Sequence, residues 1–249
     1  MNLQLPGRNT IAAMADDPVL LVTGASSGIG AQTARRAAEA GYRLVLGARS
    51  EEALEKLAAE LGGEEDAVAK RCDVTEWPEV EALAQAALDS YGRIDAVFAN
   101  AGFGATRGFL EETPEQWRSM VLTNVLGVAR TIRATLPHLL ERGTGHYVIT
   151  SSVAGRRTLP GSLYSATKHA ATAIGEALRA ELHQMHDENS IRVTLIEPGM
   201  VDTPFFDNRP GPDHALHDDD IARAVLFALE QPERVDVNEI LVRPTSQAG

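Results

Sequence analysis

Cysteine is almost absent from this chain of 249 residues, in which it occurs once, as Cys72. A single thiol cannot form an intrachain disulfide, so a disulfide-stapled secreted domain is excluded and a reducing compartment is favoured. Long apolar runs are also missing, since no segment approaches the roughly 18 residues that a membrane-spanning helix needs. We therefore expect a cytoplasmic protein.

Basic clusters and metal-ligand patterns are missing as well. The net charge is -12 and the pI is near 5.0, and no basic run exceeds two residues, so nucleic acid and anionic membranes are not expected partners. Seven histidines and one cysteine without ligand-like spacing predict no metal site. The acidic run 218–220 directly precedes a helical pattern, where negative charge at a helix N-terminus explains it.

The first residues differ from the rest of the chain. They lack the apolar core of a secretion signal, and we expect residues 1–17 to be a disordered N-terminal extension, with residues 18–249 forming the folded domain. Because MADDPVLLVTG from Met14 would be a complete beginning, the alternative that residues 1–13 reflect the choice of start codon stays open.

Short apolar runs alternate with helical patterns along the remaining sequence. The strand-like runs are LLVTG, YRLVLGA, AVAKRCDV, IDAVFAN, GHYVITS, IRVTLIEP and NEILVRP. Such alternation predicts a single doubly wound Rossmann-type α/β domain, with a parallel sheet of about seven strands covered by helices on both faces. A ligand is then expected beyond the carboxyl ends of the strands.

A glycine-rich turn, TGASSGIG, joins the first strand-like run to the first helical pattern. Gly24, Gly28 and Gly30 permit a tight turn, and the amides at the start of the helix would face a pyrophosphate. The alternative is a glycine-lined turn that only packs a helix close to a strand.

Tyr164 and Lys168 lie four residues apart at the start of a helical pattern, which places them on one face of a helix. A nearby ammonium is expected to lower the phenol's pKa from its ordinary value near 10 and to make it a better proton donor and acceptor. The hydroxyl of Ser152 would hold a substrate oxygen. The alternative is a half-buried tyrosine anchor beside a solvated lysine.

The end of the second strand-like run, YRLVLGARS, bears on cofactor choice. NAD-binding folds generally carry an acidic residue there, whereas NADP-binding folds replace it and add a base for the 2'-phosphate. Ala48 takes the acidic position and Arg49 follows, so we predict NADP(H). The alternative is that Arg49 is a surface charge near Glu51 and Glu52.

Six motifs occur in order: TGASSGIG, FANAG at 98–102, TNVLG around Asn124, the serine pair 151–152, YSATK, and PGMVDT at 198–203. With them the chain resembles the short-chain dehydrogenase/reductase family from about Val19 to its C-terminus. The closing VNEILVRPTSQ is similar to an NADP-dependent subgroup that includes clavaldehyde reductase and 3-hydroxy acid dehydrogenase. The resemblance implies hydride transfer between nicotinamide and a small or medium aldehyde, ketone or hydroxy acid.

The resemblance also implies residue roles. Tyr164 is the catalytic acid or base, Lys168 also bonds the nicotinamide ribose, Asn124 holds a water that links the lysine to solvent, and Ser152 completes the catalytic group. Asp73 is implied to meet the adenine, and Val201 and Thr203 to grip the carboxamide. The implied cofactor contacts are Gly24, Ser26, Ser27, Gly28, Ile29, Gly30, Arg49, Asp73, Val74, Asn100, Ala101, Gly102, Tyr164, Lys168, Pro198, Gly199, Val201 and Thr203.

The sequence departs from the family pattern at the catalytic serine. Counting thirteen residues back from Tyr164, as the family spacing implies, reaches Ser151, whereas aligning SVAG reaches Ser152. We favour Ser152, because shortening the loop between Gly155 and Tyr164 by one residue costs less than shifting a strand register.

The substrate and the partners are less defined. Residues 203–217 should form a short lid, in which Phe205 and Phe206 either line an apolar pocket or fold onto the core. Arg156, Arg157 and Arg107 are candidates for binding a substrate carboxylate, or are solvated. The family implies a homo-oligomer, a dimer or tetramer, paired through helices at 114–142 and 163–186. An NAD-linked alcohol dehydrogenase and a non-catalytic NADP-sensing protein remain alternatives.

Overall fold

The computed structural model describes residues 17–105, 108–160, 163–205, 211 and 213–247. Within them lies one seven-stranded sheet in the order β3-β2-β1-β4-β5-β6-β7, with every neighbouring pair parallel. The strands are β1 Val19–Thr23, β2 Arg43–Ala48, β3 Ala67–Arg71, β4 Ala96–Ala99, β5 Thr144–Thr150, β6 Ser190–Pro198 and β7 Glu239–Val242. The predicted α/β class and all seven strands are confirmed.

Helices cover both faces of the sheet. They are α1 Gly28–Glu39, α2 Glu51–Glu60, α3 Trp77–Tyr91, α4 Pro114–Val121, α5 Val128–Arg142, α6 Tyr164–Met185 and α7 Asp218–Leu229. Helices α1, α2 and α7 pack on one face, and α3, α5 and α6 pack on the other. The strands fill both layers because successive side chains point to opposite faces: Leu20 and Val22 enter the first core, and Val19 and Leu21 the second.

The predicted helix over 114–142 has an additional feature in its middle. It begins with a capping box in which Thr113 and Gln116 bond each other's backbone amides, and it ends at Gly143 with φ 72°. Between α4 and α5 lies a π-helical turn, Leu122–Gly127. A π turn inserts one residue into an otherwise α-helical ladder, and such turns concentrate at functional sites. Asn124 lies inside it.

Three expectations outside the sheet can be compared with the structure. The first turn of α7 is formed by Asp218, Asp219 and Asp220. Asp219 also forms an ion pair with Arg36, with 2.7 Å between Arg36 Nε and Asp219 Oδ1. In the part of the chain that is described, no helix has the length and apolarity to cross a membrane, and no group of three or more His, Cys, Asp or Glu is placed to hold a metal ion. The proposed N-terminal extension lies, apart from Asp17, outside the described residues.

The strand order reverses direction between β1 and β4. The chain moves outward from β1 to β2 and β3, returns to β4 on the other side of β1, and continues outward to β7. Loops leaving β1 and β4 therefore diverge and open a crevice at the carboxyl edge, which is where open α/β sheets bind their ligands.

Candidate active site

The glycine-rich turn after β1 brings backbone atoms very close together. Gly24 has φ 69°, and a Cβ built on Gly30 would lie 2.2 Å from the Gly24 carbonyl oxygen, so neither position tolerates a side chain. The first turn of α1 contains no acidic residue, and Ser27 at its N-cap makes no side-chain capping bond. The amides at the start of α1 therefore have no side-chain cap, and their predicted contact with a pyrophosphate stays a prediction.

Asn100 ties three strand ends together. Its Nδ2 donates to the Thr23 carbonyl oxygen at 3.2 Å, and its Oδ1 accepts from Thr150 Oγ1 at 3.0 Å. The Thr23 hydroxyl oxygen in turn accepts from the amides of Asn100 at 3.1 Å and Ala101 at 3.2 Å. The predicted contact residues of the FANAG motif therefore lie at the crevice, with the Asn100 carboxamide engaged by protein groups.

Tyr164, Lys168 and Ser152 come together at the carboxyl edge. Tyr164 is the first residue of α6, and Lys168 lies one turn later with its Nζ 5.9 Å from the centroid of the Tyr164 ring. The buried ammonium donates to the Thr150 carbonyl oxygen at 2.8 Å. Ser152 Oγ donates to the Pro198 carbonyl oxygen at 3.3 Å and lies near enough to the Tyr164 phenol to oppose the rise in its pKa. The predicted convergence of these three groups is present.

The electrostatics of this group differ from the sequence expectation. Burial raises the pKa of Tyr164 to about 12, with the Ser152 hydrogen bond opposing the shift, so the predicted lowering by Lys168 is wrong for this arrangement. Burial also lowers the pKa of Lys168 to about 8. Desolvation disfavours the charged form of both groups and is the largest cause of both shifts.

The two candidate serines face different neighbours. Ser151 Oγ donates to the Lys168 carbonyl oxygen at 3.1 Å and lies 2.7 Å from Thr172 Oγ1, so it is bonded to the flank of α6. Ser152 is the serine that contacts the Tyr164 phenol. This geometry favours Ser152 as the residue beside the reacting oxygen.

Asn124 is fixed by the π turn at the base of the site. The residue is 1% exposed. Its Oδ1 accepts a hydrogen bond from the Phe103 amide at 3.0 Å. Its Nδ2 donates to the Phe103 carbonyl oxygen at 2.9 Å and to Thr167 Oγ1 at 3.2 Å. A Cβ on Gly102 would lie 3.1 Å from Asn124 Oδ1 and 3.7 Å from Lys168 Nζ. Asn124 thus lies near the lysine, with partners in Phe103 and Thr167 that the sequence did not reveal.

The predicted adenosine end lies past β2 and β3. Arg49 is exposed and has no ion-pair partner among the residues the structure describes, Glu51 and Glu52 included. Asp73 Oδ1 accepts from the Thr75 amide at 2.9 Å and from its hydroxyl at 2.8 Å, which shapes the turn after β3. Val74 is buried in the same turn.

The segment 198–203 lies across the start of α1. Thr203 is buried against this start, since a Cβ on Gly28 would lie 3.2 Å from Thr203 Cβ. Val201 forms an isolated parallel bridge with Leu216. The chain's C-terminal end supports the segment from behind, because the Met200 amide donates to Gln247 Oε1 at 2.9 Å. Sequence reasoning missed Gln247, which no motif marks.

Gly199 is supported from the same side. Its amide donates to the Val242 carbonyl oxygen at 2.7 Å, and a Cβ placed on it would lie 2.2 Å from Gln247 Oε1. Pro198 and Gly199 are therefore held between β7 and the end of the chain.

Arg156, one of the candidates for binding a substrate carboxylate, is paired with two protein carboxylates. Its Nε donates to both carboxylate oxygens of Glu197, at 2.7 and 2.9 Å, and it also pairs with Glu239. Arg157 is exposed on the following turn. Arg107 lies outside the described residues.

The start of the predicted lid reaches Tyr164. Phe205 packs edge-on against the Tyr164 ring, with centroids 5.8 Å apart and planes at 66°. Phe206 and most of the following loop, residues 206–210 and 212, lie outside the described residues.

The chain is similar in sequence to known proteins. The family described as short chain dehydrogenase matches residues 18–212. An uncharacterized oxidoreductase from Staphylococcus saprophyticus is 39% identical over 244 residues, which cover 93% of this chain and 98% of that protein.

Solved structures match across nearly the whole chain. An alcohol dehydrogenase from the archaeon Thermococcus sibiricus, complexed with 5-hydroxy-NADP, superposes with a TM-score of 0.86 at 36% identity, covering 94% of this chain and 99% of that one. A serine dehydrogenase complexed with NADP+ gives 0.83 at 28% identity, with 93% and 96% covered. A short-chain dehydrogenase/reductase from Burkholderia phymatum in complex with NAD gives 0.81 at 28%, with 92% and 89% covered.

Proposed function

The chain belongs to the short-chain dehydrogenase family, and on that premise we propose that it is an NADP(H)-dependent oxidoreductase. It transfers a hydride between nicotinamide and the carbonyl or alcohol carbon of a small or medium aldehyde, ketone or hydroxy acid. The observation that carries the proposal is the meeting of Ser152, Tyr164 and Lys168 at the same carboxyl edge of the sheet as the uncapped N-terminus of α1.

The residues at the crevice fit a dinucleotide. The close contacts of Gly24 and Gly30 with each other and with the Asn100 side chain leave no room for a Cβ at these two positions, so the backbone itself would approach a bound group there. Arg49 is an exposed cation at the end of β2, in the position where a 2'-phosphate would lie, and Ala48 offers no carboxylate to a ribose hydroxyl. These features support NADP(H) over NAD(H).

The chain's own groups handle the proton. Because burial holds the pKa of Tyr164 high, its phenol stays protonated at neutral pH and is able to donate to a carbonyl oxygen as that oxygen gains negative charge. Ser152 Oγ supplies a second hydrogen bond to the same oxygen. The Lys168 ammonium is fixed by the Thr150 carbonyl with its Nζ 5.9 Å from the centre of the Tyr164 ring, and we propose that it bonds the nicotinamide ribose, as the family resemblance implies. A bound reduced nicotinamide supplies the hydride to the carbonyl carbon.

The decisive test is oxidation of NADPH and NADH, measured separately with a panel of aldehydes, ketones and 3-oxo acids. We expect turnover with NADPH, and Tyr164→Phe should lower kcat about a hundredfold or more because the proton donor is lost. Tight NADPH binding without turnover of any carbonyl compound would instead indicate the sensing alternative.

Cofactor preference is tested at Arg49. Arg49→Ala should raise the Kd for NADPH about tenfold, since a charge-assisted contact to phosphate is lost, and leave the Kd for NADH within about twofold. Arg118→Ala, which removes an exposed arginine on α4, is the matched control. Equal losses for both cofactors at Arg49 would favour the NAD-linked alternative.

We also propose a homo-oligomer formed through the α4–α5 and α6 helices. Val121 and Leu126 are 37% and 41% exposed near the middle of the first pair, and burying them against a second copy would remove apolar surface from water. Sedimentation that gives only a monomer at micromolar concentration would refute this.

A further inference from the structure

Ser151 joins the end of β5 to the helix that carries Tyr164 and Lys168. It is the first residue after β5 and is 1% exposed. Its Oγ donates to the Lys168 carbonyl oxygen at 3.1 Å and lies 2.7 Å from Thr172 Oγ1. Because a serine hydroxyl has one proton to donate, the Thr172 hydroxyl is the donor in the second contact. The hydrogen bonds therefore run from Thr172 through Ser151 to the Lys168 carbonyl.

Lys168 is held at both ends by two consecutive residues. Its Nζ donates to the Thr150 carbonyl oxygen at 2.8 Å, and its own carbonyl oxygen accepts from Ser151. Both contacts are buried, so water does not readily replace either of them. Together they set where this turn of α6 lies relative to the end of β5 and how far the ammonium reaches from the helix.

The same contact lies directly beneath the turn that begins at Ser152. Ser152 caps the short 3-10 turn that follows it and ends at Gly155. A Cβ on Gly155 would lie 2.8 Å from both the Lys168 carbonyl oxygen and Thr172 Oγ1, and closer still to Ser151 Oγ. The turn is able to pack on α6 at this point because residue 155 has no side chain. The position of the Ser152 hydroxyl is thus coupled to that of α6.

We infer that Ser151 is a positioning residue for the proposed reaction. It fixes α6, with Tyr164 and Lys168, against the turn that carries Ser152, so that the phenol and the Ser152 hydroxyl reach the same substrate oxygen. The inference rests on the proposed function. It gives the first serine of the pair a role in the geometry of the chemical step, without contact to the substrate.

Loss of this contact should slow the chemical step more than it weakens cofactor binding. The glycine-rich turn, the start of α1 and Arg49, which are proposed to hold much of the dinucleotide, lie on other elements of the fold. A misplacement of reacting groups by about 1 Å can cost about a hundredfold in rate. A variant that keeps the rest of α6 intact should displace them less, and we expect a loss of about tenfold.

The test is the single-turnover rate of carbonyl reduction at saturating NADPH, measured with the best substrate of the wild type. Ser151→Ala should lower this rate about tenfold and change the Kd for NADPH by less than about threefold. Thr172→Val replaces the hydroxyl with a methyl group and should also slow the step, whereas Thr172→Ser keeps the hydroxyl and should stay within about twofold of the wild type. Ser190→Ala, which removes an exposed serine at the start of β6, is the matched control.

A double variant tests whether the two hydroxyls act as one unit. Ser151→Ala combined with Thr172→Val should be about as slow as Ser151→Ala alone, because the first change already breaks the chain of hydrogen bonds. Circular dichroism and urea unfolding establish the conditions under which each variant is folded, and the rates are compared there. Should Ser151→Ala fail to fold, Thr172→Val and Thr172→Ser carry the same comparison.

The inference would be overturned if a folded Ser151→Ala or Thr172→Val protein kept the wild-type rate, and the proposed function would then still stand. An equally large loss in Thr172→Ser or Ser190→Ala would also overturn it, because the missing hydrogen bond would not be the cause. If the wild type binds NADPH but reduces no carbonyl compound, the proposed function fails and the inference with it.

Discussion

Replacing Arg156 with alanine removes the cation that neutralises Glu197. The Glu197 carboxylate is 1% exposed at the end of β6, and both its oxygens accept from Arg156 Nε. Glu239 on the neighbouring strand shares the same arginine. The variant would leave the Glu197 carboxylate buried and unpaired, with the like-charged Glu239 on the neighbouring strand β7.

The magnitude follows from how buried each partner is. Breaking a fully buried ion pair by removing one member costs about 3–5 kcal/mol, but the Arg156 side chain is 36% exposed, so water replaces part of what it provides. We expect a loss of about 2–3 kcal/mol in the free energy of unfolding near neutral pH. For a chain of this size that corresponds to a fall in Tm of about 4–12 °C.

The loss should depend on pH in a defined direction. Burial raises the pKa of Glu197, while Arg156 opposes that shift, so the variant's carboxyl has a still higher pKa. When folding raises the pKa of a carboxyl group, the protonated group stabilises the folded state relative to the ionised group. This contribution to stability is lost as the pH rises through the pKa of the folded protein. The deficit of Arg156→Ala should therefore be largest near neutral pH and shrink as the pH falls toward about 5.

Urea unfolding followed by circular dichroism at several pH values measures this deficit. Adding Glu197→Gln to the variant should recover most of it, because the buried charge is then gone. Arg157→Ala, at the exposed neighbouring position, should stay within about 0.5 kcal/mol of the wild type. The reasoning would be refuted if the Arg156→Ala protein were as stable as the wild type. It would also be refuted if neither lowering the pH nor adding Glu197→Gln reduced the loss of stability.

Three further variants test other parts of the site. Lys168→Met should abolish turnover. It should also raise the free energy of unfolding, measured by thermal melts, by about 1–2 kcal/mol below about pH 8, because burial lowers the lysine's pKa to about 8 and so makes the buried charge costly. This gain should be lost as the pH rises toward about 10.5. Gly30→Ala should weaken NADPH binding at least about tenfold in fluorescence titrations, since its Cβ would overlap the Gly24 oxygen; unchanged affinity would contradict the glycine argument. Gln247→Ala should raise the KM for NADPH about fivefold with kcat nearly constant, because the Met200 amide loses its acceptor.

Much of the architecture could be predicted because it rests on local pattern. Each strand is a short apolar run that alternates with a helical pattern, and β1 is buried along its whole length. Ser50 before α2 and Thr113 before α4 are residues that favour the start of a helix. Such signals are contained within a few residues of sequence.

Features that depend on distant residues could not be predicted. Arg156 and Glu197 are 41 positions apart, and their pairing follows from the adjacency of β5 and β6. The raised pKa of Tyr164 depends on burial by several segments, which spacing alone does not reveal. The supporting contact of Gln247 joins the end of the chain to Met200, and no local pattern marks it. The predicted cofactor contacts and the extension over 1–17 stay predictions.

The π turn makes the site sensitive to the number of residues in a helix as well as to their identities. Leu122–Gly127 holds one residue more than an α-helical turn would. Deleting a single residue there would restore a regular α-helical ladder and remove the wide turn in which Asn124 lies. The Asn124 carboxamide would then leave the Phe103 backbone and Thr167. A one-residue deletion would dismantle the base of the site even if Ser152, Tyr164 and Lys168 were all kept.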